Sequence, residues 1–171
     1  MRTRTLLLLA TSFTVCTIAA CAIASGGATT SERVQSGGET APSSVVRAAQ
    51  VLAAWDRARA AAWARGDPIA LVALYARSSA TGARDVADLS RWHERRLRVV
   101  GLRQQVARLR VLVARPRRVV VEATERTVDA TAVARHRRTA LPDSAWATHR
   151  IRFRRVDGRW VVVEVTAQPA R

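Results

Sequence analysis

The order in which helical and strand patterns follow each other is the strongest constraint on the fold of this chain. Residues 45–96 are rich in Ala and Arg, and their apolar residues recur at helical spacing. From Val99 onward Val dominates, and apolar residues alternate with polar ones. The pair Asp157-Gly158 separates two alternating runs and is a strong signal for a two-residue hairpin. Helices followed by hairpin-connected strands predict an α+β domain with helices packed on a mainly antiparallel sheet.

Three helices are predicted in the first half of the domain. The first covers residues 45–65, with Ser43 or Ser44 as its cap and Gly66 at its end. The second covers residues 69–76 after Asp67-Pro68, and the third covers residues 85–96. Helical spacing places four side chains of the first helix on one core-facing stripe: Val45, Ala49, Leu52 and Trp63.

Four stretches of the second half are predicted as strands. They are residues 99–114, as one strand or as a pair bent at Gly101, and residues 119–128, 147–156 and 159–165. Residues 115–117 form a turn, and residues 131–143 are expected to be irregular.

The predicted hairpin also sets which side chains share a face of the sheet. If Val156 lies opposite Arg159, regular pairing brings Glu164 opposite Ile151 on the inner face, near His149. The outer face then has an arginine ladder of Arg150, Arg152 and Arg154. That ladder would lie beside a row of valines made by Val161, Val163 and Val165.

The N-terminus has the pattern of an export signal. Residues 1–20 combine a short basic start with an apolar stretch, and residues 18–21 end in a lipobox-like Ile-Ala-Ala-Cys with Cys21 as the lipidated residue. Two alternatives remain open: ordinary cleavage after Ala24, or an uncleaved anchor over residues 6–24. We therefore expect an extracytoplasmic domain over residues 45–167, anchored to the membrane through a flexible tether at residues 21–44, with a short tail at 168–171.

The charge of the chain lies in the predicted domain rather than in its leader. All 29 basic residues counted in the Lys+Arg total are arginines, and the net charge is +16. Such a surface suits an anionic membrane or polymer, a second copy of the chain or an envelope protein. We expect Arg150, Arg152 and Arg154 to make this contact. We do not expect nucleic acid as the partner, because the leader predicts export and no nucleic-acid motif is present.

Several short motifs of the predicted domain resemble those of a known family. They are Leu52-Ala-Ala-Trp55, Trp63-Ala-Arg-Gly-Asp67, Leu71-Val-Ala-Leu-Tyr75, Gly101-Leu102 and Val156-Asp-Gly-Arg-Trp160-Val-Val. The chain resembles the nuclear transport factor 2-like domains, in particular their anchored actinobacterial members. This resemblance implies a cone of helices and curved sheet. It leaves the chemistry open, because the fold hosts isomerases, dehydratases and proteins without catalytic activity.

Four polar side chains are candidates for a site inside such a cone. Asp56 and Glu164 are acids at positions expected to be apolar, His149 is predicted beside Glu164, and Tyr75 is a candidate by resemblance. A carboxyl group in an apolar pocket has a raised pKa and can act as a general base. The alternative is structural, with Asp56 paired to Arg59 and with Glu122 and Glu125 paired to arginines across the sheet.

The sequence favours a role without catalysis. No metal-ligand spacing is present, and we expect no cofactor. The predicted function is that of an accessory or scaffold domain acting through its basic sheet face. The alternative is a small-ligand-binding protein, or a cofactor-free lyase or isomerase, that uses the cone.

Overall fold

The computed structural model describes residues 40–169. The helices are α1 (Thr40–Arg65), α2 (Pro68–Val72) and α3 (Ala80–Glu94). The strands that follow are β1 (Arg98–Val100), β2 (Arg103–Arg115), β3 (Arg118–Val128), β4 (Thr131–Ala134), β5 (Arg137–Ala140), β6 (Ala147–Val156) and β7 (Arg159–Gln168). This arrangement of helices packed on antiparallel sheets confirms the predicted α+β class. The predicted leader and the lipidation site at Cys21 lie outside the described residues.

The helices α1 and α3 begin earlier than predicted. α1 begins at Thr40 and includes Ser43 and Ser44, because Pro42 is tolerated in the first turn of a helix. α3 begins at Ala80, where the side chain of Ser79 accepts a hydrogen bond from the Gly82 amide. Asp67 caps α2 as predicted, with its Oδ1 atom 2.9 Å from the amide nitrogen of Ala70. No helix within residues 40–169 is both long and apolar enough to cross a membrane.

Within residues 40–169, seven strands form two antiparallel sheets. The larger has the order β2-β3-β6-β7 and the smaller has the order β1-β4-β5. The predicted bend at Gly101, where φ is +74°, separates β1 from β2, and the two strands belong to different sheets. The expectation that residues 131–143 are irregular is wrong, because β4 and β5 form a hairpin there. Pairing of β4 with the distant strand β1 supplies hydrogen-bond partners that the local sequence does not signal.

The core lies between α1 and the inner face of the larger sheet. Leu52 and Trp63 of the predicted helical stripe are buried, whereas Val45 is 45% exposed and Ala49 only half-buried. Trp55 lies at the centre of this core. Its ring centroid is 5.7 Å from that of Tyr75 and 6.2 Å from that of Phe153. The largest fully buried side chains on the sheet and on the other helices are Phe153, Ile151, Val119, Val121, Val162, Leu71 and Leu89.

A β-bulge changes the register of the β6–β7 hairpin. Pairing follows the prediction from Val156–Arg159 to Phe153–Val162, but Arg152 then pairs with Glu164 because Val163 is bypassed. Every later residue of β7 is therefore displaced by one position relative to β6. A shift of one residue moves side chains to the opposite face of a sheet. The prediction that Glu164 lies on the inner face is wrong. Of the predicted outer valine row, Val161 keeps its place opposite Arg154, whereas Val163 is bypassed and Val165 lies opposite Ile151.

Candidate functional site

A pocket of about 410 Å³ lies between α1 and the first half of β2. Most of its wall is apolar, and its polar groups come from Asp56, Arg57, Arg103 and Gln104. The apolar lining residues are Ala49, Leu52, Ala53, Ala60, Leu102, Val106 and Leu109. The small alanines of α1 keep the helix side of this space open. A volume in this range and a mostly apolar wall with a few polar groups are typical of small-molecule sites.

Asp56 is the acidic group of the pocket wall. Burial raises the pKa of its carboxyl group to about 7, and the nearby charge of Glu125 acts in the same direction, while Arg59 and Arg57 oppose them. A carboxyl group with this pKa exchanges its proton near neutral pH. It can donate a hydrogen bond when protonated and accept a proton when ionised. The structure thus places Asp56, one of the four candidates, in the wall of this pocket.

Glu125 of β3 joins this region, and the sequence analysis did not include it among the candidates. Its Oε1 atom lies 3.2 Å from Nδ1 of His149 on the neighbouring strand β6. Its side chain is 11% exposed, and its Oε2 atom is buried without a hydrogen-bond partner among the described residues. The sequence does contain a signal for this position. Every second residue of β3 faces the core, and Glu125 follows Val119, Val121 and Ala123 in that row.

The predicted pairing of His149 with Glu164 is therefore wrong. The bulge places Glu164 on the outer face, where its Oε2 atom is 2.7 Å from Nη1 of Arg152. Glu125 takes the place that was predicted for Glu164. Asp56 and His149 therefore both interact with the carboxylate of Glu125. The charge of Glu125 acts on Asp56, and its Oε1 atom shares a hydrogen bond with His149.

Tyr75 belongs to a separate, buried network around Asp85. The carboxylate of Asp85 accepts hydrogen bonds from the Tyr75 hydroxyl group at 2.7 Å, from Trp63 Nε1 at 3.1 Å and from two guanidinium nitrogens of Arg59. The predicted Asp56–Arg59 pair is replaced by this Arg59–Asp85 contact. Burial raises the pKa of the Tyr75 hydroxyl group, with Arg59 opposing and Asp85 adding to the shift, so the group remains a neutral donor.

This network is structural because each of its polar groups has a partner. Asp85 is 7% exposed and was missed by the sequence analysis. Its position one helical turn before the buried Leu89 was the available signal, since it places an acid on the buried side of α3. The four groups tie α1, α3 and the segment after α2 together.

The predicted arginine ladder lies on the outer face but is largely neutralised. Glu122 lies between Arg110 and Arg150, at 3.2 Å and 3.4 Å, and Glu164 pairs with Arg152. Of the three predicted contact residues, only Arg154 has no acidic partner in the described part of the chain. The Glu122 contacts confirm the predicted cross-strand pairing with arginine, whereas Glu125, for which the same was predicted, pairs with His149. A second hollow of about 380 Å³ lies over this outer face.

The remaining polar residues add no further cluster of ligands. Within residues 40–169, no group of three or more His, Cys, Asp or Glu side chains is placed to hold a metal ion. His136 lies in the turn between β4 and β5 and is exposed.

Comparison with known proteins identifies the fold and nothing beyond it. No protein-family model and no curated protein matches the chain. The intermembrane-space region of the chloroplast protein ARC6 superposes with a TM-score of 0.52 at 14% identity, over 74% of this chain and 97% of that one. A Mycobacterium tuberculosis protein of unknown function superposes with a TM-score of 0.50 at 11% identity, over 79% of each chain. The domain has the nuclear transport factor 2-like cone fold that the sequence motifs predicted.

Proposed function

We propose that this domain binds a small, largely apolar molecule in the pocket between α1 and β2. The observation that supports this most directly is the presence of Asp56, with its raised pKa, in the wall of a mostly apolar space of about 410 Å³. The buried tryptophans Trp55 and Trp63 pack into the core and do not line the pocket. The pocket therefore lies beside the tryptophan-containing core and not within it.

Asp56 determines which ligands suit this pocket. In its protonated form it donates a hydrogen bond to a carbonyl or hydroxyl oxygen, and in its ionised form it attracts a cationic or donor group. Gln104 adds an amide to the same wall. The ligand class is therefore a compact apolar molecule with one oxygen function, whose affinity changes as Asp56 titrates.

A pair of substitutions on neighbouring alanines tests this proposal. Ala53 lines the pocket, whereas Ala54 is exposed on the same helix. Ala53→Trp fills the cavity, and Ala54→Trp adds the same ring outside it. We expect the neutral dye N-phenyl-1-naphthylamine to bind the wild-type protein and Ala54→Trp alike, and to bind Ala53→Trp at least about tenfold more weakly.

Two results would count against ligand binding at this position. One is equal dye affinity in Ala53→Trp and Ala54→Trp, which would place the dye elsewhere. The other is an absence of dye binding by a wild-type protein whose thermal unfolding shows that it is folded.

The contact between Glu125 and His149 supports a second candidate function, a cofactor-free isomerase or lyase. Asp56 would remove a proton from an acidic C–H bond, and the charge of Glu125 would keep Asp56 basic enough to do so. Exchange of the α-protons of a small cyclic ketone in D₂O, followed by NMR, tests this activity. Exchange that is lost in Asp56→Asn supports it, and exchange at the rate of protein-free buffer contradicts it.

Where the domain works is a separate proposal that rests on the leader. The basic start, apolar stretch and Cys21 of residues 1–21 support export and lipid anchoring. Such a domain could serve an envelope complex, alone or as a homodimer formed through its outer sheet face. Membrane fractionation of the wild-type protein and of Cys21→Ser tests the anchor. Release of Cys21→Ser from the membrane supports lipidation, and retention contradicts it.

A further inference from the structure

Six arginines without an acidic partner in the described residues lie at one end of the larger sheet, where two turns are neighbours. The β2–β3 turn and the strand ends beside it contribute Arg115, Arg117 and Arg118, and the strand ends beside the β6–β7 turn contribute Arg154, Arg155 and Arg159. We call these six residues the arginine tip. All six are exposed, and none forms an ion pair with any residue that the structure describes.

The strand register holds the two turns together. Arg118 lies directly opposite Arg154 in the β3–β6 pair, and the amide of Arg155 donates to the carbonyl oxygen of Arg117 at 3.0 Å. Like charges directly opposite each other on neighbouring strands destabilise a sheet. Asp157 is the single acid in the two turns. The fold therefore holds several positively charged arginines close together at the tip, and no ion pair with a described residue neutralises them.

The arginine tip shares only Arg154 with the predicted ladder. Arg150 and Arg152 have acidic partners in Glu122 and Glu164. At the tip no acidic partner is present among residues 40–169, and Nε of Arg155 donates to the neutral carbonyl oxygen of Gly158 at 3.2 Å. The positive charges of the tip are therefore available to an external anion. The surface suited to an anionic partner is thus at the end of the sheet and not on its face.

We propose that the arginine tip docks on an anionic lipid surface. Charge complementarity supports this partner, because each basic residue near such a surface contributes about 1 kcal/mol to membrane attraction. Val156 is 36% exposed and lies within the tip, where it can contact the interfacial region. Residues 115–118 and 154–159 contain no aromatic side chain on which bases could stack, which disfavours single-stranded nucleic acid.

The chain before the domain supports the same partner. About twenty residues separate the predicted lipidation site at Cys21 from Thr40, and a chain of that length reaches at most about 70 Å. A domain anchored in this way stays close to the bilayer, so even a weak attraction to headgroups would orient it. The docking proposal does not depend on the small-ligand proposal, because the two use different residues.

Co-sedimentation of the full chain with lipid vesicles tests the arginine tip. The test variant is Arg117→Ser/Arg118→Ser/Arg159→Ser. The matched control is Arg77→Ser/Arg84→Ser/Arg95→Ser, which removes the same charge from exposed positions that have no ion pair in the described residues. The leader is present in every protein, so its own affinity for lipid cancels in the comparison.

The wild-type protein should bind vesicles containing about 30% phosphatidylglycerol more tightly than vesicles of phosphatidylcholine alone. We expect the tip variant to lose at least about tenfold of that preference, the control less than about threefold, and salt to abolish it. The tip variant should also unfold at a temperature no lower than the wild-type protein, because Arg118 no longer faces Arg154.

Three results would overturn the proposal. Equal losses in the two variants would show that net charge acts without a defined surface. Binding to both vesicle types that neither variant changes would assign the interaction to the leader. Tip-dependent binding to a duplex oligonucleotide, without binding to anionic vesicles, would replace lipid with nucleic acid as the partner.

Discussion

The Nδ1 atom of His149 lies 3.2 Å from Oε1 of Glu125, across the neighbouring strands β6 and β3. The Glu125 carboxylate is buried on the inner face of the sheet, and its charge also raises the pKa of Asp56 on α1. One acid from the sheet thus links a histidine and a second acid that are far apart in the sequence. This relationship makes the proton affinity of Asp56 sensitive to a residue that does not line the pocket.

Neutralising Glu125 should lower the pKa of Asp56. In Glu125→Gln we expect Asp56 to titrate below about 7 but above its ordinary value of 3.8, because burial, the largest cause of the shift, remains. The measurement is an NMR titration of the labelled Asp56 side-chain carboxyl carbon. Glu122→Gln, on the outer face of the same strand, is the matched control and should leave the titration unchanged. An unchanged Asp56 titration in Glu125→Gln would contradict the coupling.

Replacing Asp56 should change how stability depends on pH. The pKa of Asp56 is raised from 3.8 to about 7 on folding, so the folded state holds its proton more tightly than the unfolded state. The associated stability is complete below about pH 4 and is lost as pH rises through 7. We expect Asp56→Asn to match the wild-type protein near pH 4 and to be more stable at pH 8, by between about 1 and 4 kcal/mol. Parallel pH profiles of thermal unfolding would refute this.

Removing the charge of Asp85 should destabilise the domain strongly. Asp85→Asn leaves the Arg59 guanidinium group without its carboxylate, and it replaces one of the two oxygens that accept from Tyr75 and Trp63 with an NH₂ group that cannot accept. We expect a loss of about 3 kcal/mol or more in urea unfolding. Tyr75→Phe removes a single hydrogen bond and should cost about 1 to 2 kcal/mol. A smaller effect for Asp85→Asn than for Tyr75→Phe would show that Asp85 is not the centre of the network.

Replacing Gly82 with alanine should lower the stability of the domain, whereas such a replacement in a helix ordinarily raises it. Replacing a helical glycine with alanine ordinarily stabilises a protein by about 0.5 to 1 kcal/mol. A Cβ atom at this position would lie 2.5 Å from Cγ of Tyr75, a distance that requires the ring or the helix to move. We therefore expect Gly82→Ala to lower the unfolding temperature. A higher unfolding temperature would contradict the tight packing of Tyr75 on α3.

Glu164 tests the β-bulge. On the outer face it forms an exposed ion pair with Arg152, and such pairs contribute about 0 to 1 kcal/mol. Glu164→Ala should therefore change stability by less than about 1 kcal/mol and leave the Asp56 titration unaltered. An acid on the inner face, as regular pairing would place it, would alter the titration of Asp56. A downward change in that pKa on Glu164→Ala would thus contradict the bulged register.

The sequence by itself determined the class of the fold and the approximate positions of most of its elements. Local signals were sufficient for the Asp67 cap of α2, the bend at Gly101 and the hairpin at Asp157-Gly158. These features depend on residues close together in the chain, where backbone preferences and capping act directly. The same is true of Asp56, whose helical position predicted a buried acid.

Only the tertiary structure decided which groups share the candidate site. A bulge at Val163 moved Glu164 outward, and Glu125 took its place beside His149. β4 and β5 likewise depend on pairing with β1. The physical reason is the same in both cases: strand pairing is a contact between distant segments, and one residue of register reverses every face that follows. The sequence contained each of these residues, but the fold selected their partners.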